Sequence, residues 1–318
     1  MDNSSPSAAN PSEPLPTISA CVAVYNGAEL LPKAIGSILA QTVAPAEIIV
    51  LDDGSSDQSS DVAASFEGVR VVRAPNGGIG AARRRLVEEA RSDWIAFCDH
   101  DDWWERNRLE REIPNTRDPG VDLIYAGVWH EDEDGQRTPA ELHALPLADS
   151  IDHVIPHPED IWTSSTLLRR EAVLAAGNFN ASYGTGEDML MWFQLGSAGK
   201  IVQVPERLVH MLRRSVSTSS LDRRQFEVRV ALYEREILPN LERWYAGVDA
   251  TKLRRCRRLL EEKLGYAMAL LATYCDRDGE RAEARRLYRQ AVKLAPKSKG
   301  AWYRYARSVC GFPLRPPV

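Results

Sequence analysis

The chain has 318 residues, and its hydrophobic fraction of 44% allows one large domain and a smaller one, each with a core. Its formal net charge of −5 and pI of about 5.8 give no overall basic footprint, so we predict no nucleic-acid partner. The five scattered cysteines fit reduced thiols, and no apolar run approaches the roughly 18 to 20 residues that span a bilayer. We therefore predict a cytoplasmic protein without a transmembrane segment, in which peripheral membrane contact stays open.

The first hundred residues alternate between strand and helix patterns. Residues 1–16 are rich in Ser, Pro and Asn and lack a basic-then-apolar pattern, which predicts a disordered leader and not a signal peptide. Short runs rich in β-branched residues predict strands over 18–24, 47–51, 69–73 and 94–98. Helical spacing predicts helices over 29–40, 59–66 and 81–90 between them. This alternation favours an α/β fold with a mostly parallel sheet flanked by helices.

The remainder of the chain divides at about residue 220. Further strands are predicted over 121–129, 163–168, 201–204 and 207–212, with helices over 170–176 and 189–198 and a Pro-containing excursion over 138–157. We assign 17–220 to one domain and 221–318 to an α-helical extension. Residues 276–307 have Gly, Ala and Pro spacings that weakly resemble one tetratricopeptide repeat, and a plain helical tail is the alternative.

Polar side chains follow each of the first three strands. Tyr25 offers an aromatic face after the first strand, and Asp53 ends the second, where it either accepts a hydrogen bond from a ligand or caps a helix. A glycine-rich loop follows the third strand, with Arg83 one turn into the next helix, where it could meet a phosphate. Parallel strands carry their ligands at their carboxyl ends, so we expect these groups at one edge of the sheet.

Three carboxylates within four residues follow the fourth strand. Asp99, Asp101 and Asp102 repel one another unless a cation offsets their charge. Hard divalent ions such as Mg²⁺ and Mn²⁺ prefer oxygen ligands and bind alongside substrate phosphates. The alternative is a solvated acidic turn, but its position after a buried strand favours a cation site.

The order and spacing of six motifs resemble those of family 2 glycosyltransferases with the GT-A fold. The motifs are VAVYNGAELL, SILAQT, IIVLDDGSSD, NGGIGAARR, DWIAFCDHDDWW and GEDMLMWFQL. The resemblance covers about two thirds of the chain and leaves the helical C-terminus outside it. It implies a nucleotide-sugar-binding domain that belongs to an enzyme.

The resemblance also implies roles for particular residues. Asp53 would read the nucleobase in a pocket lined by Tyr25, and Asp99 with Asp101 would form the Asp-x-Asp motif. The implied donor contacts come from Tyr25, Asp53, Arg83, Asp99, Asp101, Arg213 and Arg214. The implied ligands of Mn²⁺ or Mg²⁺ are Asp99, Asp101, Asp102 and His210.

Catalysis in this resemblance needs one base on the acceptor side, because the family inverts configuration by direct displacement. Asp188 is the implied base and Glu187 its substitute. The Gln-x-x-Arg-Trp signature of processive synthases is absent, which favours transfer of a single sugar. Three tryptophans are candidates either to stack on sugar rings or to lie in the core, namely Trp103, Trp104 and Trp192.

The predicted function is therefore an inverting, metal-dependent transfer of one sugar, with a UDP-sugar favoured as donor, in bacterial glycan or glycoconjugate assembly. The acceptor is a glycan, a glycolipid or a protein. Two alternatives remain: a nucleotidyltransferase, and an inactive transferase-like scaffold that binds a protein partner through its helical tail. The first alternative should carry a lysine in a glycine-rich loop after the first strand, where this chain has Tyr25-Asn26-Gly27.

Overall fold

A computed structural model describes residues 15–143, 151, 154–213 and 222–309, which form two compact units. The first, called the sheet unit, takes in the described residues up to 143 together with 160–181 and 199–213. The second, called the helical unit, takes in residues 151, 154–159, 182–198 and 222–309. Most of the predicted leader and part of the excursion over 138–157 lie outside the described residues.

The sheet unit is built on one mixed sheet with the strand order β3-β2-β1-β4-β8-β6-β9-β5, and β7 pairs with β6. Its strands are β1 Ile18–Val24, β2 Glu47–Asp52, β3 Val69–Arg73, β4 Trp94–Asp99, β5 Asp102–Trp104, β6 Val121–Asp132, β7 Arg137–Pro139, β8 Thr166–Arg169 and β9 Lys200–Arg213. The pairs that join β3, β2, β1 and β4 are parallel, as the sequence predicts. Beyond β4 the sheet becomes mixed, since β8 pairs antiparallel with both β4 and β6.

Five helices belong to the sheet unit: α1 Leu31–Leu39, α2 Ser59–Ala64, α3 Ile79–Glu89, α4 Arg108–Glu112 and α5 Arg170–Ala175. Helix α1 shows why these segments are helical. It has a proline in its first turn, where the missing N–H costs nothing. Its buried side chains recur at helical spacing, at Leu31, Ala34, Ile35 and Ile38. Every residue of β1 is buried, as expected for a strand covered on both faces.

The helical unit contains α6 Glu187–Ala198, α7 Arg223–Leu232, α8 Leu238–Trp244, α9 Ala250–Arg277, α10 Arg281–Leu294 and α11 Lys299–Val309, with a π-helical turn between α7 and α8. Asp249 caps α9 by accepting the backbone N–H groups of Thr251 and Lys252, each at 2.9 Å. Helices α9 and α10 pack closely, because a Cβ on Gly265 would lie 3.1 Å from the carbonyl oxygen of Ala291. In the described part of the chain, no helix has the length and apolar character to cross a bilayer.

Candidate functional site

The order in which successive strands join the sheet reverses between β1 and β4. Strands β1, β2 and β3 follow one another toward one edge, whereas β4 lies on the other side of β1. Ligands of open α/β sheets bind outside the carboxyl ends of the strands at such a reversal. Tyr25 follows β1 and Asp99 ends β4, so both predicted residues flank this point.

The loops after β1, β2 and β3 are held together through Asp53. Its backbone N–H donates to the carbonyl of Val24 at 2.9 Å. Its buried carboxylate accepts the N–H groups of Gly77 and Gly78, each at 2.9 Å. Tyr25, half of whose surface is exposed, stands beside this arrangement. The structure therefore brings together the two residues that the sequence assigns to a nucleobase pocket.

Two backbone positions explain why these loops fit so closely. Gly54 has a φ of +75°, and a Cβ there would lie 2.7 Å from the backbone nitrogen of Asn76. Asn26 has a φ of 51° and accepts the N–H of Ser56 at 2.8 Å through its side-chain oxygen. The Asp52 carboxylate accepts the N–H of Ser55 at 2.8 Å, a hydrogen bond that closes the turn after β2.

Arg83 lies in α3 and its guanidinium contacts the carboxylate that ends β4. Its Nη2 donates to both oxygens of Asp99, at 3.0 and 3.1 Å. Arg83 is buried, whereas the Asp99 side chain retains 29% of its exposure. We call residues 99–102, which carry the carboxylates of Asp99, Asp101 and Asp102, the acidic turn. The pairing places a fixed positive charge beside this turn, where a nucleotide phosphate would need one.

Ser164 lies in the short turn before β8 and forms two hydrogen bonds to the acidic turn. Its hydroxyl oxygen accepts the backbone N–H of Asp99 at 2.9 Å and donates to Oδ2 of Asp102. Asp102 is buried, and its burial, followed by the charges of Asp99 and Asp101, raises the pKa of its carboxyl well above the usual value. Asp101 itself is only half-buried.

A fully buried arginine fixes Ser164 in turn. Arg108 donates through Nη1 to the carbonyl of Ser164 at 2.6 Å and through Nη2 to that of Thr166 at 2.8 Å. Arg108 also forms an ion pair with Glu112 at 3.1 Å. Burial raises the pKa of the Glu112 carboxyl to about 7. Sequence reasoning missed Ser164 and Arg108. An Arg and a Glu four residues apart in α4 were a weak signal, since such pairs are usually solvent-exposed.

The acidic turn fits a hard divalent cation in the chemistry of its donors. Asp99 and Asp101 offer partly exposed carboxylates two residues apart, and carboxylate oxygens are the ligands that such ions prefer. Asp102 faces Ser164 instead. Over the residues that the structure describes, Asp99, Asp101, Asp102 and His210 do not form a set whose ligand atoms all lie within 4.8 Å of one another. Asp99 and Asp101 are therefore the better candidates.

His210 lies on β9, where other groups engage its ring. Its Nε2 lies 2.8 Å from Oε1 of Glu105, and its ring stacks on Trp103 with centroids 5.3 Å apart. Strand β5, which sequence reasoning missed, pairs Trp103 with His210. Trp103, Trp104 and Trp192 are all buried at 8% exposure or less, so they are core residues and the sugar-stacking alternative is wrong.

Arg213 ends β9 and donates to Nε2 of His130 at 2.9 Å. Burial, and secondly the charge of Arg213, lower the pKa of His130 to about 4, so the imidazole accepts this bond as a neutral ring. Arg214 lies outside the described residues.

Glu187 and Asp188 begin α6 in the helical unit. Glu187 is buried, Asp188 is half-buried, and the positive φ of Gly186, +77°, precedes them. The Asp188 carboxylate accepts the N–H of Met189 at 2.7 Å. Acidic groups in a first helical turn are favoured by the exposed N–H groups there. This placement suits a structural role as well as a catalytic one, so the base assignment stays a prediction.

The half-sheet of parallel strands with polar loops at its carboxyl edge defines a nucleotide-binding type of α/β domain. Residues 19–175 match the model of glycosyl transferase family 2, which confirms the family resemblance that the six motifs carry. Residues 267–308 match a tetratricopeptide repeat model, which agrees with the repeat resemblance predicted over 276–307.

Proteins similar to this chain are named as glycosyltransferases. An uncharacterized glycosyltransferase of Rickettsia felis is 30% identical over 188 residues, which cover 57% of this chain and 31% of that protein. The putative glycosyltransferase EpsH of Bacillus subtilis is 35% identical over 127 residues, or 39% of this chain and 37% of EpsH. The chain thus matches about a third of the length of these two relatives.

Solved structures confirm the fold. S. aureus TarS 1-349, crystallised with UDP-GlcNAc, aligns with 94% of this chain and 93% of its own at a TM-score of 0.61 and 14% identity. The same fragment with UDP aligns at a TM-score of 0.56 and 13% identity. The predicted GT-A type of fold with a helical C-terminal region is therefore confirmed.

Proposed function

We propose that this chain transfers a single sugar from a nucleotide diphosphate sugar, with a UDP-sugar favoured, to a hydroxyl group of an acceptor. One observation carries the proposal. Asp53, Asp99 and Asp101 lie at the carboxyl ends of β2 and β4, on either side of β1, and Arg83 of α3 pairs with Asp99 there. Ligands of open α/β sheets bind at this kind of position. The TarS fragment that shares the fold was crystallised with UDP-GlcNAc, which supports a nucleotide-sugar donor.

Each group has a task in this proposal. Asp53 and Tyr25 bind the base, and Arg83 contributes positive charge beside the diphosphate. Asp99 and Asp101 would hold Mg²⁺ or Mn²⁺, which supplies Lewis-acid stabilisation of the departing diphosphate. Ser164 keeps Asp102 turned inward, so that two carboxylates and not three face the donor.

The acceptor hydroxyl must lose a proton as it attacks the sugar. We assign this proton to Asp188, with Glu187 as the substitute, as the family resemblance implies. Attack from the face opposite the leaving diphosphate would invert the anomeric configuration. A single-sugar product and a role in bacterial glycan or glycoconjugate assembly remain part of the same proposal, with a glycan, glycolipid or protein as acceptor.

A donor-turnover assay tests the proposal. The purified chain is incubated with a panel of nucleotide-sugars, and release of the nucleoside diphosphate is followed with Mn²⁺, with Mg²⁺ and with a chelator. We expect turnover of one UDP-sugar that vanishes in the chelator and returns when either ion is added. Full turnover in the chelator would contradict the metal assignment.

The same assay separates the alternatives. An inactive scaffold would release no diphosphate from any donor. A nucleotidyltransferase would release pyrophosphate from a nucleoside triphosphate. The structure offers a specific observation against the second, because the loop after β1 is engaged by its neighbours. Gly27 donates to Ser59 Oγ at 3.0 Å and Ala28 to Asp57 at 3.1 Å, so these N–H groups are not open to a triphosphate.

A further inference from the structure

The last two described helices concentrate positive charge in a chain that is acidic overall. Residues 281–309 contain nine Arg and Lys side chains and one acid, Glu283, a formal net charge of +8, whereas the whole chain carries −5. Such asymmetry creates a field that attracts an anionic partner to one part of the molecule. The transfer reaction proposed above makes no use of these helices.

Helix α10 arranges four of these charges in a row. Arg281, Arg285, Arg289 and Lys293 recur every fourth residue, all are exposed, and none forms an ion pair within the described chain. At the rise of a helix the row is about 18 Å long. The buried face of α10 adjoins this row and is made of Ala284, Leu287, Tyr288, Ala291 and Val292. The four charged side chains face solvent, since each of them is exposed.

An aromatic side chain lies near the end of this row. The turn between α10 and α11 contains the exposed Lys297, and the exposed Lys299 begins α11. The indole N–H of Trp302 donates to the carbonyl of Pro296 at 2.9 Å, and 48% of Trp302 remains exposed. Tryptophans with one polar and one apolar side concentrate at the level of lipid headgroups.

We propose that this surface, called the basic face and made of Arg281, Arg285, Arg289, Lys293, Lys297, Lys299 and Trp302, docks on an anionic phospholipid membrane. A row of exposed charges that extends for about 18 Å matches a plane of headgroups better than a single small anion. An exposed indole beside lysines suits the boundary between headgroups and acyl chains. An acidic protein or a soluble polyanion is the competing occupant.

Vesicle co-sedimentation of the full chain tests this. We expect binding to phosphatidylcholine vesicles that contain phosphatidylglycerol, no binding to phosphatidylcholine alone, and loss of binding in high salt. The triple variant Arg285→Gln, Arg289→Gln, Lys293→Gln should bind on the order of a hundredfold more weakly, from the typical contribution of each cation near a charged surface. Trp302→Ala should weaken it further.

A matched control removes the same charge elsewhere. Arg111→Gln, Arg137→Gln, Lys200→Gln takes away three exposed cations that are paired with acids, and it should bind vesicles as the wild type does. Equal binding by the basic-face variant and the control would overturn the proposal. The proposal would also be overturned if the chain bound soluble polyphosphate as tightly as vesicles and Trp302→Ala did not change the binding to vesicles. Thermal melts establish that each variant is folded.

Discussion

The Ser164 hydroxyl bridges the backbone of Asp99 and the carboxyl of Asp102, and so the shape of the acidic turn depends on it. Ser164→Ala leaves the buried Asp102 carboxyl without this partner, which should lower the free energy of unfolding by about 1 to 3 kcal/mol. If the turn then rearranges, the KM for the donor should rise more than kcat falls. Steady-state kinetics at varied donor concentration measures both.

Ser165→Ala is the matched control, because the Ser165 hydroxyl is equally buried but donates only to the carbonyl of Trp162 at 2.8 Å. It should cost some stability and leave the KM for the donor unchanged. Equal KM values in the two variants would show that Ser164 does not position the acidic turn.

His130 makes the stability of the chain sensitive to acid. Its pKa is lowered from 6.5 to about 4 in the folded state, so the unfolded chain binds the proton more tightly. The free energy of unfolding should therefore fall as the pH drops through that interval, and be unaffected by this group above it. His130→Gln keeps an acceptor for Arg213 and should flatten this part of the profile. Denaturant titrations at several pH values in this interval measure the free energy of unfolding of both proteins. If this free energy depended on pH in the same way in the wild type and in His130→Gln, His130 would not contribute to it.

At the scale of elements, the loops after β2 and β3 pack closely against each other. Gly54→Ala would place a methyl group 2.7 Å from the backbone nitrogen of Asn76 at a positive φ. We expect a loss of about 1 to 3 kcal/mol in unfolding free energy. Weaker donor binding should accompany it, because Asp53 directly precedes Gly54. Thermal melts with and without UDP measure both effects.

Gly36 provides the opposite case within α1. A Cβ there would meet no atom within 4 Å, so Gly36→Ala should stabilise the chain by up to about 1 kcal/mol through helix propensity. If Gly54→Ala were as harmless as Gly36→Ala, the loops would not be interlocked in the way described.

The elements near the N-terminus could be predicted because their signals are local. Strands β1 and β3 begin and end where the β-branched runs do. Later elements were harder, because tertiary pairing decides them. Residues 200–213 form one strand whose register shifts against β6, whereas the sequence predicts two strands, over 201–204 and 207–212. Strand β5 has three residues and exists through its pairing with β9.

The candidate site shows the same division. Asp53, Asp99 and Asp101 follow strands directly, so a sequence pattern locates them. Ser164 is 65 residues from Asp99 along the chain and follows no motif, so only the folded structure reveals it. The partners of His210 were equally hidden, since Glu105 reaches it across a strand pair that the sequence does not predict.

At the scale of the whole molecule, our proposal assigns the donor and the acceptor to different residues. A substitution of Asp188 tests the assignment on the acceptor side. Asp188→Asn removes a proton acceptor but keeps the shape of the side chain. We expect kcat for transfer to fall by about a hundredfold to ten-thousandfold, the usual contribution of a general base. Donor binding should change little. Transfer rates and a thermal shift with UDP separate the two effects.

Glu187→Gln is the companion variant. If it abolishes transfer while Asp188→Asn remains active, the base assignment moves to Glu187. Transfer retained in both variants would remove this acidic pair from catalysis.

The most direct measurement is a crystal structure with UDP and Mn²⁺, with manganese located by its anomalous scattering. The account predicts an anomalous peak within coordination distance of Asp101, about 2.0 to 2.3 Å, that also contacts the UDP phosphates. It also predicts uracil beside Asp53. A fully occupied UDP with no manganese near Asp99 or Asp101, or a nucleotide bound away from the carboxyl ends of β1 and β4, would contradict it.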